Sequence, residues 1–159
     1  MIGANDVRKM LLEYRDGERE LECENERLIN IDLKLYSLGS PAYTDMPKNP
    51  SPSNDMVAVL VERKMKLERK MEKLVFSQKE KRERYESYID RLSTADQRAV
   101  LRMHYLDGIK WETVSEGMYG TNEDFDDKRD AYMSRLMKLN KYSLQQMAVI
   151  INDTKNGGR

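Results

Sequence analysis

Residues 92–139, "LSTADQRAVLRMHYLDGIKWETVSEGMYGTNEDFDDKRDAYMSRLMKL", decide the fold. The stretch opens with Ser93, whose hydroxyl is expected to accept the first amides of a helix, and with Asp96, whose charge suits a helix N-terminus. Gly108 and Gly120 interrupt the apolar pattern, and glycine tolerates the left-handed conformation that ends a helix. The pattern predicts three helices separated by two turns.

The first predicted helix ends near Leu106, and the second is the short "KWETVSEGM", which places Trp111, Val114 and Met118 on one side. The third is expected to carry a single apolar stripe, made of Phe125, Tyr132, Met133, Leu136 and Leu139. A short second helix between two others is typical of the helix-turn-helix layout. The predicted fold class is therefore all-α, with long amphipathic helices followed by a helix-turn-helix unit.

Two longer helices are predicted upstream, because apolar residues recur every seven positions in residues 1–39 and again in residues 54–92. Gly17 and Glu24 interrupt the first of these patterns and suggest a weak middle. The two helices could fold back on each other or pair with a second chain. We expect a homo-oligomer, with a dimer favoured, held by the heptad residues Leu21, Leu28, Leu35, Leu60, Leu67, Met71 and Leu74.

All four prolines lie between the two long helices, where residues 40–53 read as a Pro-rich extended linker. Ser53 or Asn54 can cap the helix that follows. The expected division is a helix at 1–39, the linker at 40–53, a long charged helix at 54–92, the three-helix unit at 93–152 and a disordered tail at 153–159.

Net charge predicts no partner, because 28 Lys and Arg balance 28 Asp and Glu. The distribution is uneven: residues 61–91 hold 11 basic against 7 acidic side chains, and residues 1–35 hold 6 against 9. The two long helices are thus electrostatically complementary. The "KEKRER" run is interpreted as a solvated helix face, since each charge has an opposite partner at helical spacing.

Several function classes are excluded by what the sequence lacks. Cys23 is the single cysteine and His104 the single histidine, so we expect neither a disulfide nor a metal site. No nucleophile and base pair or phosphate-binding loop is recognisable, so neither an enzyme nor a cofactor is expected. No apolar run reaches the ~18 residues of a membrane span and no secretory signal is recognisable, which predicts a cytoplasmic protein without a membrane partner.

Residues 92–118, "LSTADQRAVLRMHYLDGIKWETVSEGM", resemble the fourth conserved region of bacterial sigma factors. The shared elements are a Leu before the cap, an "R-x-V-L" core, a "Y-L-x-G" turn and an aromatic residue before "E-T-V". The preceding "SPSNDMV" and its long charged helix extend the resemblance to sigma-like regulators of phages and prophages of Gram-positive bacteria, the RinA and ArpU type. The resemblance covers about residues 50–150.

The resemblance implies a DNA-binding regulator of late genes in a bacterial host, with double-stranded DNA and host RNA polymerase as expected partners. The third helix would enter the major groove and the second would cross the phosphate backbone. Carried over by position, Lys110, Thr113, Thr121 and Asn122 are expected to contact DNA. A helical wheel built on the apolar stripe of the third helix places Asp127, Ala131, Ser134 and Lys138 outward, with Arg135 at the edge. The expected DNA-binding residues are therefore Lys110, Thr113, Thr121, Asn122, Lys128, Arg129, Ala131, Ser134, Arg135 and Lys138.

The run "EDFDD", residues 123–127, departs from the sigma pattern, because carboxylates oppose phosphate binding. Acidic side chains favour a helix N-terminus, so we interpret the run as a helix-capping and specificity element. Two alternatives remain open. One is a small terminase-like DNA-packaging protein, and the other is an adaptor whose three-helix unit binds only protein.

Overall fold

A computed structural model describes residues 1–39 and 54–157; the predicted linker at 40–53 lies outside the described residues. The fold is all-α, as predicted, and the described residues contain no strand. Among them, no helix combines the length and apolar character needed to cross a membrane. The helices are α1 (Ala4–Gly39), α2 (Asn54–Ile89), α3 (Ala95–Leu101), α4 (Trp111–Tyr119) and α5 (Arg129–Asn156).

The chain forms two compact units that differ from the division expected from the sequence. The helix-pair unit is Gly17–Gln78, and the core unit combines Met1–Asp16 with Lys79–Arg159. The core unit thus includes the beginning of α1 and the end of α2 together with the three-helix stretch. These two helix ends belong to the core unit because their apolar side chains pack in the same core as the three-helix stretch.

In the helix-pair unit, α1 and α2 run antiparallel. Lys70 pairs with Glu24 at 2.6 Å and Lys64 pairs with Asp32 at 2.7 Å, so residue numbers fall along α2 as they rise along α1. The chain therefore folds back on itself, which is one of the two arrangements that the heptad pattern allowed. The heptad residues lie at least partly buried in this unit: Leu21, Leu28, Leu35, Leu60, Leu67, Met71 and Leu74.

The polar interruptions of the α1 heptads have specific partners, and α1 is continuous through them. Gly17 lies against the buried side chain of Gln78, which a Cβ atom would overlap. Glu24 is only 6% exposed and accepts hydrogen bonds from Lys70 and Arg27. The hydrogen bond from Lys70, assisted by Arg27, lowers the pKa of Glu24. Polar pairing thus replaces apolar packing in the middle of α1.

The core unit is built around one apolar cluster to which every helix contributes. Tyr14 of α1 and Tyr85 of α2 meet edge to face, with ring centroids 6.0 Å apart. The largest fully buried side chains in this unit are Val7, Leu11, Tyr14, Ile89, Val100, Leu101, Tyr105, Leu106, Val114, Leu136, Met147 and Ile151. The long α5 spans this core and packs against both α3 and α4.

Thr94 caps α3, where the sequence had suggested Ser93. The Thr94 hydroxyl accepts from the Gln97 amide at 3.2 Å, and the Gln97 side chain accepts from the Thr94 amide at 3.3 Å. Ser93 instead donates to the Gln97 side chain at 3.1 Å. The reciprocal pair requires a Gln three residues after the cap, and only Thr94 has that spacing.

After α3 the helix widens into a π-helical turn, Arg102–Leu106, and then ends at Gly108. Gly108 has φ of 71°, as expected of a glycine at this position. A side chain there would also overlap the guanidinium of Arg15. At the other end of the unit α5 continues to Asn156, so residues 153–156 are helical where a tail was predicted.

Candidate nucleic-acid interface

Residues 120–128 connect α4 to α5 without helix, and Phe125 anchors them to the core. The Phe125 side chain is 5% exposed, and its ring centroid lies 5.7 Å from that of Tyr132. Tyr132 also stacks on Tyr119 at 5.2 Å. The expectation that Phe125 belongs to the third helix is wrong. Burial of this ring outweighs the helical periodicity that it shares with later residues.

The acidic run does not open α5, because the helix begins only at Arg129. Lys128 occupies the capping position with φ of −123° and makes no side-chain capping bond. The prediction that "EDFDD" caps the third helix is therefore wrong for the described structure. The run lies before the helix, and the carboxylates of Asp124 and Asp126 contact the side chains of Tyr132, Lys128 and Arg129.

Asp124 and Asp126 hold the connection against the beginning of α5. Asp124 accepts hydrogen bonds from the Tyr132 hydroxyl at 2.6 Å and forms an ion pair with Lys128 at 2.9 Å. These contacts, that of Tyr132 first, lower the pKa of Asp124. Asp126 pairs with Arg129 at 2.5 Å, and the Arg129 guanidinium also lies 5.0 Å from the centre of the Phe125 ring. Two of the expected DNA-binding residues, Lys128 and Arg129, are therefore already paired with carboxylates.

The exposed face of α5 beyond its first turn has a different character. Residues 131–152 contain no Asp or Glu, and their only charged side chains are Arg135, Lys138 and Lys141, all exposed. Within residues 1–39 and 54–157, none of these three forms an ion pair with a carboxylate. Arg135 lies over the Tyr119 ring, 5.4 Å from its centre. This face is therefore positively charged, although α5 with its preceding connection is neutral.

The remaining expected residues are all on the surface, but in different elements. Ala131 and Ser134 are exposed on α5, next to the cationic side chains. Thr121 and Asn122 are exposed in the connection before α5. At the other end of α4, the exposed Lys110 occupies the capping position and Thr113 follows in the first turn. The DNA-binding residues expected from the sequence are thus distributed over α4, the connection at residues 120–128 and α5.

Lys141 belongs to the cationic face of α5 but was missed by the sequence reasoning. Gln145 and Tyr142, also exposed, continue the same part of the helix. The sequence does contain a signal for this face: from residue 131 to residue 152 the charged side chains are three basic ones, all after the acidic run. Over residues 121–142 five acidic side chains balance five basic ones, so the charge of this longer segment hides the cationic face.

The single histidine, His104, packs against an aromatic ring. His104 stacks on Trp111 with centroids 3.6 Å apart, and its Nδ1–H donates to the Ile109 carbonyl at 2.8 Å. Burial, aided by the charges of Arg15 and Arg8, lowers the pKa of His104. Cys23 is exposed on α1. In the described part of the chain, no three His, Cys, Asp or Glu side chains converge to hold a metal ion.

No protein-family model, no curated protein and no solved structure matches the chain.

Proposed function

We propose that the protein is a DNA-binding transcriptional regulator of the sigma-like phage type, an activator of late genes that acts in the bacterial cytoplasm. The exposed face of α5 would contact promoter DNA, with host RNA polymerase as a second partner. One observation carries the proposal: Arg135, Lys138 and Lys141 project from one helix, residues 131–152 contain no acidic side chain, and no carboxylate among the described residues pairs with these three cations.

The packing of α5 supports this assignment. Leu136, Leu144 and Met147 on the opposite side are at most 4% exposed, so the helix has a firmly held inner face. A helix held in this way needs little further ordering of its backbone on binding, although its exposed Arg and Lys side chains still lose rotamer freedom. Ser134 and Ala131 are small, and the short side chains allow a groove edge to approach the helix backbone. Phosphate contacts would come from the cationic side chains.

The proposed site is narrower than the set of residues expected from the sequence. Lys128 and Arg129 are paired with Asp124 and Asp126, so phosphate would have to compete with these carboxylates. We therefore assign DNA binding to the middle turns of α5, with Lys110 and Thr113 of α4 as further backbone contacts. The oligomer proposed from the sequence would use what remains exposed of the heptad residues, which are already buried or partly buried within one chain, or a different surface.

Two double variants test the proposal with equal changes in charge. Arg135→Gln with Lys138→Gln removes one Arg and one Lys from the α5 face, and Lys128→Gln with Arg129→Gln removes the same pair from beside the acidic run. Each lost phosphate contact flattens the plot of log affinity against log salt by about 0.9. We expect the slope of log affinity against log salt to become flatter by about 1.8 in the first variant and to change little in the second.

Duplex binding measured by fluorescence anisotropy at several salt concentrations gives the slopes. Equal effects of the two variants would contradict the assignment to the middle of α5. A wild type that binds no duplex at low salt, yet retains a protein from host lysate after nuclease treatment, would favour the adaptor alternative. Many-subunit rings in light scattering would favour the terminase-like alternative.

A further inference from the structure

A second cationic surface lies in the helix-pair unit, in the groove between α1 and α2. The groove has a volume of about 460 Å³. Two of its cationic side chains, Arg27 and Lys34, come from α1, and three come from α2: Arg63, Lys66 and Lys70. The described residues that line it include no carboxylate. Cations from both helices therefore face the same open space.

Three of these five cations have carboxylate partners that are not among the residues lining the groove. Arg27 pairs with Glu24 at 2.8 Å, and Lys70 shares the same carboxylate at 2.6 Å. Lys66 pairs with Glu62 at 3.1 Å.

Lys34 and Arg63 differ from the other three. Within the described ranges, 1–39 and 54–157, neither forms an ion pair with a carboxylate. An anion that binds to these two side chains does not have to displace a carboxylate from them. They are consequently the two groups from which a bound anion gains most.

The floor of the groove is already covered. Leu60 is 8% exposed and Leu67 is 6% exposed, so an apolar partner would find little surface left to bury. An amphipathic protein helix docks mainly by filling an apolar groove, which this floor does not provide. A polyanion needs only the charges. Arg63, Lys66 and Lys70 form a row about 10 Å long on α2, at a rise of about 1.5 Å per residue.

We propose that this groove binds the phosphate backbone of duplex nucleic acid, as a contact surface separate from the exposed face of α5. The contact is independent of base sequence, because Lys and Arg ends that meet phosphates carry no sequence information. The proposal is carried by the helix-pair unit alone and does not require α5 to bind DNA.

The test uses the full chain and two double variants of matched composition. Lys34→Gln with Arg63→Gln removes the two unpaired groove cations. Arg69→Gln with Lys73→Gln removes one Arg and one Lys from exposed positions of the same unit that do not line the groove. We expect the groove variant to flatten the salt dependence of duplex binding by about 1.8, two contacts at about 0.9 each, and the control to change it much less.

Cys23 provides a local reporter. It is exposed and precedes the groove residue Arg27 by four positions, which places the two side chains on neighbouring positions of one helix face. A fluorophore on this single cysteine should respond when a short duplex is added to the wild type or to the α5 variant Arg135→Gln with Lys138→Gln. The response should be lost in the groove variant, whose helicity by circular dichroism should match that of the wild type.

Equal salt slopes for the groove and control variants would overturn the proposal. A fluorophore that responds to polyglutamate but not to the duplex would also overturn it, in favour of an acidic protein segment. If the α5 variant retains full duplex binding while the groove variant loses it, the inference stands and the proposed role of α5 fails.

Discussion

The hydroxyl of Tyr132 donates to the carboxylate of Asp124 at 2.6 Å, and this bond fastens the acidic run to the helix that follows it. Tyr132 is on α5 and Asp124 precedes the helix by five residues. The Lys128 ammonium completes the arrangement at 2.9 Å from the same carboxylate. The acidic residues therefore shape the beginning of α5 from outside the helix.

Replacing Asp124 with Asn is expected to lower the urea midpoint of unfolding at pH 7. The folded-state pKa of Asp124 is lowered by Tyr132 and then by Lys128. The stabilisation is thus fully present above the ordinary aspartate value of about 3.9 and is lost as pH falls through the lower folded value. The difference between wild type and variant should shrink below about pH 4. Glu123→Gln, an exposed neighbour, is the control; an undiminished difference in strong acid would contradict the assignment.

Asp126→Asn with Asp127→Asn is expected to strengthen nonspecific duplex binding and to reduce the preference for a cognate site. The change removes two negative charges and frees Arg129, which pairs with Asp126 at 2.5 Å. One additional phosphate contact would steepen the salt dependence by about 0.9. Isotherms with cognate and scrambled duplexes at several salt concentrations measure both effects.

The matched control for this pair is Glu22→Gln with Glu26→Gln, which makes the same change in net charge at exposed positions of α1. Equal strengthening by both pairs would show that net charge alone matters. Loss of a protein partner, with no change in duplex binding, would identify the acidic run as a protein interface.

His104→Phe is expected to reduce the pH dependence of stability between about pH 5 and 8. The folded-state pKa of His104 is lowered, chiefly by burial, so its contribution is present above the ordinary value of about 6.5 and is lost as pH falls. Phenylalanine keeps a ring to stack on Trp111 but cannot be protonated. Since His104 is the only histidine, no other side chain normally titrates in this range. Urea midpoints at several pH values test this, and parallel pH profiles for the two proteins would contradict it.

Leu67→Glu is expected to destabilise the helix pair by about 2–5 kcal/mol or more, since deleting a buried leucine side chain alone costs this much. Leu67 is 6% exposed, and a buried charge adds a desolvation cost. Leu33→Glu makes the same substitution at 60% exposure on the same unit and should cost little. Circular dichroism melts and sedimentation velocity separate folding from association. A Leu67→Glu chain that keeps its helicity but loses mass would show that the heptads join two chains.

The positions of α1 and α2 followed from local patterns. Heptads predicted a helix across residues 1–39 and another from residue 54, and α1 runs Ala4–Gly39 while α2 runs Asn54–Ile89. These predictions rested on local chemistry that needs no distant partner: a proline cannot continue a helix, and a short polar side chain is able to cap one. The turn at Gly108 was predictable for the same reason.

The beginning of α5 was not predictable in this way. Residues from Phe125 onward have helical spacing, yet the helix starts at Arg129 because the Phe125 ring is buried against the core beside Tyr132. Likewise, the equal numbers of acidic and basic side chains in residues 121–142 do not show which of them pair. In the structure Asp124 pairs with Lys128 and Asp126 with Arg129, whereas Arg135, Lys138 and Lys141 have no carboxylate partner among the described residues.

Apart from the two ends of α5, the sequence by itself determined which segments are helical and which side of each is apolar, because periodicity and the chemistry of Gly and Pro act over a few residues. The tertiary structure alone decided what covers each apolar side. An apolar stripe such as Leu60 and Leu67 is stable only when it is buried. A helix of the same chain and a helix of another chain can bury it equally well. In the structure α2 folds back antiparallel on α1 of the same chain, with Lys70 beside Glu24 and Lys64 beside Asp32, and the heptad pattern alone does not select this arrangement.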